Sequence, residues 1–431
     1  MKHWIRSIPF STSMVRTARQ WIDRKRSLRL DREFKSELST KKGATYRCTL
    51  DPPDAATDPP YVALQGWILT RTSARISNLA LVDTAGGLRL PLIDVRRPEI
   101  AVRHPFQTVT GFRGLWSLAD IAQGSGWQVM FDIDGVPRRH PTDLRASPES
   151  ARDFASRKAR KRSRIRDLLK CPTCEPGDLT TEAGVLRCAS CGTGYPHDGR
   201  SIDFLTHHLR ARAGVVATGN ISSNEDHDQL KEFAVKHAGG LVLDAGCGLR
   251  GIYRDNVVNL EIVDYPTTDV VGVGERLPFR SSSFDAVCSA AVLEHVRDPF
   301  QVARELVRVL KPGGDLFVAV PFLQPFHGYP DHYYNMTSSG LRALFEGSIQ
   351  VGFCGVEPWG HPIHLLPWFL QTYLAGLPPD IADRFRRLTV EDLATTAPTE
   401  LLRRDIAASL ADEAVKTLAY GFTLTGTKGR T

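Results

Sequence analysis

The run Leu241-Val242-Leu243-Asp244-Ala245-Gly246-Cys247-Gly248 constrains this chain more than any other stretch. It reads as an apolar strand that ends in an acidic residue and a glycine turn. Glycines at that point let the backbone approach a ligand at the carboxyl end of a parallel strand, where doubly wound sheets bind nucleotides. The company is ordered. A strand from Asn256 ends near Glu261, followed by Leu277-Pro278-Phe279 and the extended Ser283 to Ser289. Next come Val292-Leu293-Glu294-His295, a helical segment from Phe300 to Leu310, Lys311-Pro312-Gly313-Gly314, and a strand from Asp315 to Val320.

Over residues 225 to 325 this order closely resembles the class I S-adenosylmethionine-dependent methyltransferases. The resemblance implies an α/β fold with a doubly wound, Rossmann-like sheet, and Gly421 to Lys428 suits the antiparallel last strand of that family. It implies roles residue by residue. The Asp244 carboxylate would face the cationic amino-acid end of the donor, and Gly246 and Gly248 would admit the donor's backbone. Glu261 would accept hydrogen bonds from both ribose hydroxyls, with Asp264 as its rival. Twelve residues separate Gly248 from Glu261, so the first helix must be very short. Where many relatives carry an acidic residue for the adenine amino group this chain has Val273, and Glu275 is the substitute. Cys247 and Cys288 have the character of buried strand residues. His295 is open between bracing a helix and serving the site.

After the fifth strand, Pro321 to Asn335 resembles a substrate-side loop in envelope-glycan methyltransferases. Its His327 and His332 are candidates for a general base or for orienting the acceptor, and Tyr333 offers a stacking face. No Lys or Arg occurs from Pro321 to Leu341, which favours a sugar over a phosphate backbone at the reacting end. The stretch Ile363 to Leu377 is expected to be a helical cap over this site; it is too short to span a membrane.

Upstream, Cys171-Pro-Thr-Cys174 and Cys188-Ala-Ser-Cys191 form two C-x2-C pairs thirteen residues apart. Two such knuckles supply the four thiolates of a closed structural zinc site, with no open position for catalysis. The surrounding residues resemble the zinc ribbons that accompany several bacterial and tRNA-modifying methyltransferases.

Earlier still, Tyr61 to Leu69, Ile76 to Val82, Leu88 to Ile93 and Trp127 to Ile133 read as short strands, the last leading into an Asp134-Gly135 turn. Gly66-Trp67, Asp94 to Pro105 and Thr110-Gly111-Phe112 resemble a β-sandwich module of bacterial cell-surface polysaccharide enzymes. The expected division is a basic helical extension over 1–45, the sandwich over 46–147, a basic linker helix over 148–168, the ribbon over 169–207 and the methyltransferase domain over 208–431.

The net charge is +7, with Arg and Lys crowded into 14–42 and 152–170. Such stripes are commonly solvated helix faces, and they also attract RNA, anionic lipid or acidic glycan carriers. No secretory leader and no membrane-spanning run is legible, which points to the cytoplasm, with peripheral contact at the inner membrane face left open. The expected activity is O-methylation of a sugar or glycan intermediate in envelope polysaccharide synthesis, with S-adenosylmethionine as donor and structural Zn2+. The alternatives are an RNA methyltransferase and a non-catalytic scaffold. The oligomeric state is not legible.

Overall fold

The computed structural model describes residues 46–51, 60–70, 75–95, 97, 100, 108–174, 177–182, 185–196, 200–215 and 227–423. The basic extension expected over 1–45 lies outside them, as do residues 424–428 of the expected last strand. The described chain divides into two units. One lies within residues 46–115 and 124–145, and the other takes 60–62, 116–123 and 146–423.

The first unit holds strands β1 (Tyr46–Leu50), β2 (Tyr61–Thr70), β3 (Ile76–Asp83), β4 (Arg89–Pro91), β5 (Ile93–Val95), β6 (Thr108–Ser117), β7 (Trp127–Ile133) and β8 (Val136–Pro141). They form two four-stranded antiparallel sheets, β1-β2-β6-β5 and β4-β3-β7-β8. Val129, Phe131 and Ile133 alternate into the core, and Asp134 and Gly135 take the positive φ values of a tight hairpin to β8. The rings of Phe131 and of Tyr46 from the other sheet meet in a T-shaped pair, 5.4 Å between centroids. The single strand expected over Leu88 to Ile93 is two. Arg89–Pro91 pairs with β3 and Ile93–Val95 with β6, so the chain changes sheets at Leu92, whose side chain is buried. Gly66 has a packing reason: a Cβ there would lie 2.4 Å from the Thr49 carbonyl oxygen and 2.6 Å from the Phe112 ring.

The second unit opens with a short helix α1 (Leu118–Ala122) and the basic helix α2 (Pro148–Ile165). Ser147 caps α2, its Oγ accepting from the Glu149 and Ser150 N–H groups, with Pro148 in the first turn. Arg152, Arg160 and Arg164 form the solvated face expected of a linker helix, but the two lysines turn inward. Lys158 and Lys161 are only 3% and 2% exposed. Lys158 donates to the carbonyls of Pro266 and Thr268, while Lys161 donates to that of Val257 and pairs with Asp269 at 2.9 Å. Asp269 also accepts from the Tyr253 hydroxyl and the Asn259 N–H. The long ammonium arms thereby satisfy carbonyls of the turn before the strand at Val270 and of Val257, the first residue of its own strand.

Strands β9 (Leu179–Glu182), β10 (Val185–Cys188) and β11 (Gly194–Tyr195) make a small antiparallel sheet around the cysteines. The main sheet follows: β12 (Ile202–Asp203), β13 (Val242–Ala245), β14 (Val257–Glu261), β15 (Val270–Val271), β16 (Phe284–Ala290) and β17 (Leu310–Ala319). Its order is β12-β15-β14-β13-β16-β17 and every pairing is parallel. Between β12 and β13 lie helices α3 (His207–Ala213) and α4 (Asp228–Lys236). Strand alternation sends Val242, Ala286 and Cys288 to one face, against Leu230 and Phe233 of α4. Leu243 and Val287 face the other way, against Val302 and Leu306 of α5 (Pro299–Val309). Helices thus cover both faces.

Two expectations fail here. Residues 246–256, between β13 and β14, contain no helix at all, not even a short one. Arg250 and Tyr253 fold back onto Asp244 and Asp269, and those internal bonds take up the segment. Residues 421–423 are not a strand either, so no antiparallel last strand joins the sheet among the described residues. Beyond helix α6 (Ser338–Phe345), helix α7 (Leu365–Ala375) leaves Leu366, Trp368, Phe369 and Leu370 partly open to solvent. No helix among the described residues is long and apolar enough to cross a membrane.

Candidate functional site

Strand order reverses between β13 and β16, and a cavity opens there, its wall including Gly246, Glu261, Glu275, Ser289, His295 and Tyr333. Gly246 has φ +77°, and a Cβ on it would fall 2.3 Å from Cγ2 of Val292. Only glycine fits that turn.

Glu261 ends β14 with its carboxylate at the cavity wall. Oε2 accepts the Gly248 N–H and Oε1 the Ile262 N–H, each at 2.7 Å. Burial pushes its pKa up, against the pull of these N–H groups. Gly248 therefore orients Glu261 and does not itself line the cavity. The rival Asp264 is exposed and away from the wall. Val273 and Glu275 both line it, and burial raises the Glu275 carboxyl as well.

Asp244 does something other than expected. Its carboxylate is sealed behind the cavity and held by Arg250, at 2.8 Å through Nε and 3.0 Å through Nη2. The fork neutralises its charge, and the carboxylate does not reach the cavity wall. The buried Ser289 Oγ has no hydrogen-bond partner and belongs to the cavity wall, so it is a polar group left for a ligand. Cys247 and Cys288 are fully buried, and burial holds the Cys247 thiol well above its usual range.

On the far side, the loop after β17 contributes Tyr329, Pro330 and Tyr333 to the wall. Tyr333 donates its N–H to the Glu294 carbonyl, and its hydroxyl accepts from Arg297 Nε at 2.9 Å. Three histidine rings gather here: His295 lies 5.2 Å from His327 and 5.7 Å from His332 between centroids. Burial lowers the pKa of both His295 and His327, favouring their neutral rings. His332 is a bracing residue. Its Nδ1 accepts the His327 N–H and its Nε2 meets Asn335 Oδ1 at 3.1 Å, so neither nitrogen is left for the cavity. Beneath the rings lies Glu294, fully buried with neither carboxylate oxygen hydrogen-bonded, and burial pushes its pKa up to about 8. Trp368 of α7 touches His327 at 5.4 Å, which brings the apolar helix to this loop.

Arg250, Ser289 and Glu294 were not singled out from sequence. Glu294 had a signal: a carboxylate next to His295 directly after an apolar pair.

Cys171, Cys174, Cys188 and Cys191 come together with their sulfurs within 4.8 Å of one another, Cys171 and Cys191 at 3.9 Å. Zn–S bonds of ~2.3 Å in a tetrahedron require sulfurs ~3.8 Å apart, so the donor set fits that ion. The Tyr195 hydroxyl lies 3.0 Å from the Cys171 sulfur, a supporting bond of the kind that orients metal ligands.

Residues 243–318 match the family model of a methyltransferase domain, from inside β13 to inside β17. An uncharacterized methyltransferase of Mycobacterium tuberculosis is 35% identical over 107 residues, covering 23% of this chain and 42% of that protein. A ubiquinone/menaquinone biosynthesis C-methyltransferase of Pseudoalteromonas translucida is 32% identical over 139 residues, covering 31% and 50%. A ubiquinone biosynthesis O-methyltransferase of Xanthomonas oryzae pv. oryzae is 32% identical over 107 residues, covering 19% and 43%. Residues 243–318, which build most of the parallel sheet, thus carry an S-adenosylmethionine-dependent methyltransferase domain. The chain spans half or less of the length of these relatives.

Proposed function

We propose that this chain is an S-adenosylmethionine-dependent O-methyltransferase acting on a hydroxyl of a sugar or glycan intermediate in envelope polysaccharide synthesis. The observation that carries the reading is the pairing of two walls in one cavity: a glycine turn with Glu261 on one side, and on the other an aromatic loop that itself holds no Lys or Arg, with the neighbouring Arg297 engaged by the Tyr333 hydroxyl. The donor, when bound, supplies an electrophilic methyl group on a sulfonium.

This chain's residues do the rest. Glu261, pinned by two backbone N–H groups, has remaining lone pairs for a vicinal diol. Val273 gives an apolar face, and Glu275 beside it an acceptor for an amino group. The Gly246 turn admits a ligand's chain, and Ser289 offers it a hydrogen bond. Tyr329, Pro330 and Tyr333 exclude water and present ring faces to an acceptor. The acceptor's proton leaves on the side of His295 and His327, the two histidines with a ring nitrogen free of hydrogen bonds. The ribbon cysteines hold a structural Zn2+.

The names of relatives that act in quinone synthesis support a small-molecule acceptor. The RNA alternative rests on the ribbon and the two basic stripes; in the second stripe the lysines Lys158 and Lys161 are spent on internal carbonyls. The decisive experiment follows donor consumption with nucleotide sugars, lipid-linked glycans, a polyprenylated catechol and RNA in parallel. Turnover with a glycan substrate supports the proposal. Turnover with RNA or the catechol alone replaces it.

A further inference from the structure

We propose that Glu294, His295 and His327 form a second metal site, an open two-histidine, one-carboxylate site for a divalent transition-metal ion of the Zn2+ class, beside the methyl-donor cavity. Their ligand atoms all lie within 4.8 Å of one another, with His295 Nε2 and Glu294 Oε1 3.8 Å apart. With metal–nitrogen bonds of ~2.0 Å, a tetrahedral edge is ~3.3 Å, so side-chain shifts of about 1 Å close the site.

Two independent features point to an ion. The first is the tautomers. His295 Nδ1 lies 2.7 Å from the Asp331 carbonyl oxygen, and His327 Nδ1 lies 2.8 Å from that of Pro325. A carbonyl only accepts, so both Nδ1 atoms carry the proton and both Nε2 lone pairs are left free. A backbone carbonyl on the outer nitrogen is the arrangement that prepares a histidine as a metal ligand. The second is Glu294. Its carboxylate is completely buried, and neither oxygen has a hydrogen-bond partner. A buried carboxyl without a hydrogen-bond partner has lost its solvation, which a cation at the Nε2 atoms would replace.

The ligand chemistry sets the class of ion. Two imidazoles and one carboxylate suit Zn2+ and its neighbours over Mg2+ or Ca2+, and three protein ligands leave a position open. His295 belongs both to this cluster and to the cavity wall, so that position adjoins the acceptor. The role of the ion rests on the methyltransferase reading above. It would hold the acceptor hydroxyl and lower its pKa; with both Nε2 atoms then serving as ligands, the proton passes beside the two rings to solvent and not onto them. The oxygen–carbon bond then forms as the carbon–sulfur bond of the donor breaks, with sulfur keeping the electron pair.

The test uses the full chain with its ribbon loaded, washed with a weak chelator and titrated with Co2+. Metal content, visible absorption and donor affinity are read separately. The expected result is one further equivalent bound with the weak, thiolate-free spectrum of nitrogen and oxygen ligands. Glu294→Gln and His327→Gln each weaken that binding by more than about tenfold while folding and donor affinity persist. Absence of a second equivalent, or binding unchanged in both variants, overturns the metal site. Metal binding without donor binding would leave the site standing and remove the methyltransferase reading. His332→Gln serves as the control, because both its ring nitrogens are already engaged; loss of metal there equal to that in His327→Gln would also overturn the assignment.

Discussion

Arg250 grips Asp244 through two parallel bonds of 2.8 and 3.0 Å, and the two side chains are 2% and 1% exposed. Burial works against the guanidinium's charge, but Asp244 beside it holds its pKa above the usual range. The pair closes the segment that in a longer crossover would be a helix, since Arg250 lies only two residues beyond Gly248. The acidic end of β13 thus ties the turn together from behind the cavity.

Asp244→Ala is therefore expected to damage the fold before it damages binding. It leaves a buried guanidinium without its partner, a loss of ~3–5 kcal/mol. Urea unfolding monitored by circular dichroism should show this as a lower midpoint at unchanged slope. The double variant Asp244→Leu with Arg250→Met should recover much of the loss. Asp244→Ala with wild-type stability and abolished donor binding would restore the carboxylate to the ligand.

Gly246→Ala should abolish donor binding in a folded protein. Its Cβ would sit 2.3 Å from Val292 at the cavity wall, in a backbone conformation at φ +77°. Gly313 is the matched control, with φ +76° and nothing within 4 Å of the same added atom. Both carry a similar backbone strain of ~1 kcal/mol, so calorimetry with the donor isolates the steric part. Equal donor affinity in the two variants would place the ligand elsewhere.

What the sequence revealed, and what it hid, follows from the range of the interactions. The glycine turn, Glu261 and the cysteine knuckles are local patterns whose spacing carries their geometry. The sheet change at Leu92 is set by pairing with β3 and β6, distant in sequence, and no local signal marks it. Lys158 and Lys161 looked like a solvated stripe because a helix pattern records charge, not which carbonyls lie across from it. Their partners sit 96 to 110 residues away. The partners of Asp244 and His332 escape a sequence reading for the same reason, since only the folded chain supplies them.

The buried lysine leaves a signature in pH. Burial takes Lys158 from 10.5 down to about 8, with Asp269 and Asp264 pulling it up and Lys161 and Arg162 pushing it down. Below about 8 both folded and unfolded chains carry its proton, and Lys158 gives no slope. Between about 8 and 10.5 the unfolded chain still holds a proton that the folded chain has shed, so stability rises with pH. Lys158→Met should remove that rise, a difference of up to about 3 kcal/mol between pH 7.5 and 10.5 in urea titrations. Parallel pH profiles in variant and wild type would mean that the ammonium is solvated.

The ribbon should not unfold by itself. Cys171, Leu186, Cys188 and Tyr195 belong to one continuous core with Leu169, Phe204, Phe279 and Leu243. Leu169 also pairs with Phe279, and the Lys170 N–H donates to the Pro278 carbonyl, which ties the knuckles to the Leu277-Pro278-Phe279 segment beside the cavity. Metal held by the four thiolates contributes folding free energy to whatever shares that core. Stripping the ribbon with a strong chelator, or Cys171→Ser, should therefore lower the melting temperature of the whole methyltransferase unit as a single transition, with donor affinity falling alongside. Differential scanning calorimetry separates the outcomes. A small low-temperature transition of its own, with the main peak and donor affinity unmoved, would make the ribbon an appendage instead of part of the enzyme's core.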